Sequence, residues 1–169
     1  MPLRFHINAH YDERCFLPIH VYDTATSRPV AVILRPGKTP SGREVRGHLR
    51  RLIRAIRRRW PMTAITIRGD GHYGRSEVMD WCEDNGIAYV FGLTGTKALA
   101  GRVEEAADAI RVERAIGNME AVRGYAEITH AAKSCRQTRR VAARIEATLL
   151  GLDIRYVVTN IPTGTADWL

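Results

Sequence analysis

Acidic residues are in short supply in this chain of 169 residues: 18 Asp and Glu stand against 26 Lys and Arg, a formal net charge of +8. Such an imbalance favours a polyanionic partner, most often nucleic acid, although basic proteins that bind only other proteins are common too. Cysteine is also sparse. Cys15, Cys82 and Cys135 are odd in number, far apart and without metal-ligand spacing. That excludes a disulfide framework or a Cys/His zinc set, and a reduced, cytoplasmic setting is expected. No apolar run approaches the roughly 20 residues of a membrane-spanning helix. Residues 1–12 lack the continuous apolar core of a secretory signal. There is no Walker-type loop and no dinucleotide fingerprint, which removes the commonest nucleotide-binding designs. What is present is an ordinary globular composition, 45% hydrophobic and 26% charged, of a length for one domain.

Taken in order, Cys15 to Tyr22 reads as a strand, with Pro18 marking an edge or a bulge because proline cannot donate a ladder hydrogen bond. Turn formers from Asp23 to Pro29 lead to a second strand, Val30 to Leu34, and so short a link predicts an antiparallel pair. Arg43 to Trp60 is the clearest helix. Val45, Leu49, Leu52, Ile53, Ile56 and Trp60 form one apolar stripe, and Pro61 ends it. Eight arginines occupy its other faces. Two readings are open for Arg43, Arg46, Arg50, Arg54, Arg57 and Arg58: a surface laid along DNA phosphates, or a solvated face.

Ile65 and Ile67 alternate with Thr66 and Arg68, which predicts a strand that stops at Gly69-Asp70-Gly71-His72-Tyr73-Gly74. Asp70 therefore sits at the carboxyl end of a strand, where open α/β sheets place their ligands. A residue there can equally make an Asx-turn or cap the next helix. Likewise His72 and Tyr73 stand where they could position a phosphate or a metal-bound water, and Tyr73 can equally pack on the turn. Ser76 is the expected N-cap of a helix carrying Val78, Met79 and Cys82 inward, with Gly86 as its stop. Ile87 to Leu93 is apolar enough to be a strand buried on both faces, and strand–helix–strand predicts a parallel, right-handed βαβ unit. Then come one helix through Leu99 and Ile110, and three strands, roughly Val122 to His130, Val141 to Leu149 and Ile154 to Asn160. Gly151-Leu152-Asp153 is the expected link between the last two. Lys133, Arg136, Arg139, Arg140 and Arg144 add positive charge around that hairpin.

Seven ordered segments resemble the catalytic domain of bacterial insertion-sequence DDE transposases. These are Leu17-Pro18-Ile19-His20-Val21, Leu34-Arg35-Pro36-Gly37, Arg58-Arg59-Trp60-Pro61, Arg68-Gly69-Asp70-Gly71-His72-Tyr73, Trp81-Cys82-Glu83, Tyr89-Val90-Phe91-Gly92-Leu93 and Arg155-Tyr156-Val157-Val158-Thr159-Asn160. The resemblance implies a ribonuclease H-like α/β fold: a mixed sheet, antiparallel hairpin then parallel βαβ, with a β-rich insertion after the second aspartate. On that pattern residues 1–95 would be a partial core, 96–153 a helix plus the insertion, and 154–169 the last strand and the start of the return to the core. It further implies metal-dependent cut-and-paste DNA transposition with Mg2+ or Mn2+, Asp70 as the second catalytic carboxylate and metal ligand, and DNA as partner. DNA contacts are expected from the six helix arginines and from Lys133, Arg136, Arg139 and Arg140. The family's first carboxylate has no counterpart in residues 1–14, and its last glutamate would follow Asn160 on a helix. The chain is thus expected to be a central fragment, inactive alone, nucleoid-associated and self-associating. The alternative is a truncated product that binds DNA or full-length transposase without catalysis.

Overall fold

A computed structural model describes residues 6–8, 13–131 and 135–167. The chain divides into two compact units, residues 1–41 and 42–169. In the first, β1 (His6–Asn8) pairs antiparallel with β2 (Glu13–Cys15), and β3 (Ile19–Tyr22) with β4 (Pro29–Ile33). The strand expected from Cys15 to Tyr22 is split in two at Leu17-Pro18, as a residue without an N–H dictates. The expected hairpin forms, but as a two-stranded sheet of its own. The expectation of one mixed sheet running from hairpin into βαβ unit is corrected accordingly.

The second unit opens with α1 (Gly42–Arg59), whose bounds fall within a residue of those read from its apolar stripe. Next come β5 (Thr66–Gly69), α2 (Ser76–Asp84) and β6 (Ala88–Leu93), and β5 and β6 are parallel as expected. Ser76 is the first helical residue rather than the cap. Arg75 holds the cap position without a side-chain bond, its carbonyl accepting from Val78 N and Met79 N, both at 3.0 Å. The single helix expected around Leu99 and Ile110 is two, α3 (Lys97–Arg102) and α4 (Glu104–Ile116), broken at Val103.

Three long antiparallel strands follow: β7 (Ala121–His130), β8 (Arg139–Thr148) and β9 (Gly151–Thr159). The five strands form one sheet in the order β5-β6-β9-β8-β7. The β8–β9 turn is Leu149-Leu150, two residues earlier than expected, with Gly151 at φ +130°, a conformation other residues rarely adopt. Leu149, expected as the last residue of the strand, is consequently 75% exposed in the turn. Since β9 pairs with β6 on one side and β8 on the other, the β-rich stretch and the βαβ unit share one sheet.

One core underlies this sheet. Val45 and Ile53 of α1, Val78, Met79 and Cys82 of α2, and Leu99, Val103, Ala107 and Ile110 of α3 and α4 meet Tyr89, Phe91, Val141, Ile145 and Val158 of the strands. Side chains at the end of β9 complete the β6–β9 ladder. Asn160 Oδ1 accepts from Tyr89 N at 2.9 Å, Asn160 Nδ2 donates to the Ile87 carbonyl at 2.9 Å, and Thr159 Oγ1 donates to the Tyr89 carbonyl at 2.6 Å.

Candidate functional site

Asp70 follows directly on β5, at its carboxyl end and beside the parallel strand β6. Its Oδ1 accepts from His72 N at 2.8 Å, and its carbonyl accepts from Tyr73 N at 3.1 Å. This is the Asx-turn that residue types alone allowed. The turn still presents the carboxylate, whose side chain is 66% exposed, and His72 Nδ1 lies 3.4 Å from Oδ1. Tyr73, by contrast, is partly buried against the core. A Cβ placed on Gly69 would come 2.9 Å from Tyr73 Cδ2, so the ring packs on the turn.

Glycine on β6 fixes the position of Asp70. A Cβ on Gly92 would lie 2.8 Å from Gly71 N and 3.0 Å from Asp70 C, and one on Gly74 2.5 Å from the Gly92 carbonyl oxygen. The end of β6 and the 70–74 turn touch backbone to backbone, so no larger residue fits at Gly92 without shifting the turn.

The expected DNA-contact arginines separate into free and engaged groups. At 100° per residue, Arg43, Arg46, Arg50, Arg54, Arg57 and Arg58 share an arc of about 120° on α1, next to its apolar stripe. No ion pair is formed by these six among the described residues, while Arg51, outside the arc, contacts His48 at 2.8 Å. The arginines near the β7–β8 connection are otherwise disposed. Arg136 pairs with Asp84 at 2.5 Å. Arg140 holds Glu127 at 2.5 Å and donates to the carbonyls of Ile161 and Thr163 at 3.1 and 3.2 Å and to that of Gly164. Lys133 lies outside the described residues.

Arg139 is the clearest correction. It is 4% exposed, and its guanidinium donates to both oxygens of Glu83, at 2.8 and 2.9 Å, and to Asp80. Tyr89 also donates to Glu83, at 2.7 Å. Burial alone would raise the Glu83 pKa, but the bonds from Arg139 and Tyr89 hold it below its ordinary value. Burial and the adjacent Glu83 carboxylate push the Tyr89 phenol upward, and burial, with Glu83 next to it, lifts the Cys82 thiol to about 12. The Arg139 guanidinium, folded inside this network, has no surface to offer a phosphate. Nothing in the sequence pairs it with α2, whose carboxylates lie 56 and 59 positions away.

A family model described as "Transposase DDE domain group 1" matches residues 4–169. The chain belongs to that family. No curated protein and no solved structure matches it. DDE transposases use divalent metals. Magnesium takes oxygen ligands and keeps several waters, often with one or two carboxylates plus substrate phosphates. Asp70 suits that role as a single ligand. A two-metal centre needs further carboxylates, and no group of three metal-binding side chains occurs among the described residues. The described part of the DDE domain therefore does not by itself fit a two-metal site. No helix among the described residues is long and apolar enough to cross a membrane.

Proposed function

We propose that this chain is the central portion of a bacterial insertion-sequence DDE transposase, supplying one metal-binding carboxylate, Asp70, and a DNA-backbone surface on α1. The observation that carries it is the position of Asp70: an exposed carboxylate at the end of β5, held by a turn pressed against β6. The metal is Mg2+ or Mn2+, with His72 beside the carboxylate to orient a phosphate, and Tyr73 supports the turn. The α1 arginines, free of carboxylate partners, provide salt-dependent phosphate contacts that do not read sequence. Arg136 and Arg140 border the DNA only through whatever surface their own pairings leave. The described residues bring no second or third carboxylate to Asp70, so the chain alone is expected not to cleave DNA.

A second reading, a binding product without catalysis, is favoured by the same pairing of a lone carboxylate with an unneutralised cationic face. The outer strands of the five-stranded sheet, β5 and β7, each have a strand neighbour on one side only in that sheet, and such edges invite pairing with another copy, so we also propose self-association, which a monomeric mass in solution would refute.

The test is magnesium- or manganese-dependent nicking of duplex DNA carrying inverted repeats, together with binding over a salt series. The chain is expected to bind without nicking. Replacing Arg50, Arg54 and Arg57 by Glu should weaken binding and flatten its salt dependence. Robust nicking abolished by Asp70→Ala would refute the fragment reading, and unchanged binding by the arginine variant would refute the DNA surface.

A further inference from the structure

Between α1 and α2 lies an open cavity of about 400 Å3, lined by Arg50, Arg54, Arg57, Arg58, Trp81 and Asn85 over Ile53. A hollow of about 250 Å3 beside Gly47 shares Arg50 and Arg54 with it, so the groove continues along α1. The larger cavity is of the size that takes a small organic ligand.

Its wall chemistry is unusual in two respects. First, the lining is cationic without any acid. The carboxylates of α2 that might have neutralised it are engaged elsewhere, Asp80 and Glu83 by Arg139 and Asp84 by Arg136. Arg57 donates to the Asn85 carbonyl at 3.1 Å, which holds its guanidinium at the wall of the cavity. Second, the lining includes an indole. The Trp81 carbonyl accepts from Asn85 Nδ2 at 2.7 Å, which ties the end of α2 together.

A plain phosphate surface needs the arginines and has no use for the tryptophan. A ligand that is anionic at one end and planar and apolar at the other uses both. We propose that this cavity binds one unpaired nucleotide of a DNA strand, its base against Trp81 and Ile53 and its flanking phosphates on Arg50, Arg54, Arg57 and Arg58. The inference rests on DNA being the partner and adds that an unstacked base has a dedicated place on α1 and α2. Stacking of a base on an aromatic side chain tolerates any sequence, and removing the side chain weakens binding roughly fivefold or more.

The test compares three probes on the full chain at low salt: a ten-nucleotide oligo(dT), an abasic deoxyribose-phosphate strand of the same length, and a duplex. Oligo(dT) is expected to bind at least about fivefold more tightly than the abasic strand. Trp81→Leu should erase that difference while leaving abasic binding in place, and Trp81→Phe should restore much of it. A chain with Trp60 and Trp168 replaced by Phe reports Trp81 fluorescence alone. Oligo(dT) should quench it and the abasic strand should not, a readout independent of how well the leucine variant folds. Equal affinities for the two strands, absent quenching, or equally effective displacement by poly-glutamate would overturn the pocket while leaving duplex binding by α1 intact. Failure to bind any of the three probes would overturn both.

Discussion

Replacing Arg139 with methionine should destabilise the protein far more than loss of a surface charge does. Methionine keeps the aliphatic stem but strands two carboxylates, Glu83 with a side chain 11% exposed and Asp80 with one 25% exposed. Removing one partner of a buried ion pair costs about 3–5 kcal/mol. Two features point to the low end: Asp80 is partly screened by water, and Arg139 Nη1 is buried without a partner. A loss of about 3 kcal/mol is expected, or a fall in Tm of about 6–12 °C for a chain of this size. The pH dependence gives the sharper signature. In the parent, Glu83 is held below its ordinary pKa. Its stabilising contribution is therefore present above the unfolded carboxylate pKa and lost as pH falls through the folded one. In the variant burial remains without the cation, so the folded pKa rises and the penalty disappears once Glu83 binds a proton. The stability gap should accordingly be widest near pH 7 and narrow below about pH 5. Urea unfolding followed by circular dichroism across that range measures it, and adding Glu83→Gln should recover part of the loss at neutral pH. A difference under about 1 kcal/mol at pH 7, or one that does not change with pH, would refute the view that Arg139 is a buried structural cation.

Two further outcomes follow from the site. Gly92→Ala should shift the Asp70 turn without altering any side chain in it, at a cost of about 1–3 kcal/mol for the overpacked contact; faster hydrogen exchange at residues 70–74 checks it, and unchanged exchange would contradict the backbone contact. Arg136→Gln should weaken DNA binding by freeing Asp84 to repel phosphate near the α1 arginines, and Arg136→Gln with Asp84→Asn should restore it; a double variant as weak as the single one would mean that Arg136 touches DNA itself.

Much of this fold was legible in the residue pattern because the decisive signals were local. The apolar stripe of α1, the unbroken run of β6, and the glycine cluster around Asp70 each specify their own segment. So does the strand–helix–strand order that makes β5 and β6 parallel. Failures came where a distant partner decided. Arg139 looks like any hairpin arginine until α2 supplies its carboxylates. Leu149 continues the strand alternation perfectly, yet the tight turn takes it. Val103 sits in register for one long helix, yet its backbone leaves the helical conformation there. At the candidate site, sequence placed Asp70 at a strand end but could not choose between turn former and ligand. The structure shows a turn that does the first while leaving the carboxylate presented for the second. The cleft at Trp81 had no local signal, since the indole reads as core and the arginines as surface until two helices meet.

The amide of Asn160 imitates a peptide group, offering one acceptor and one donor to β6 as another residue of strand would. The sheet thereby gains a rung at this corner while the main chain is released to turn away. Ile87 and Tyr89 present no vacant partners there, so a foreign strand cannot extend the pairing past that point. A side chain thus sets where the sheet stops, and backbone geometry beyond it is free to serve another purpose.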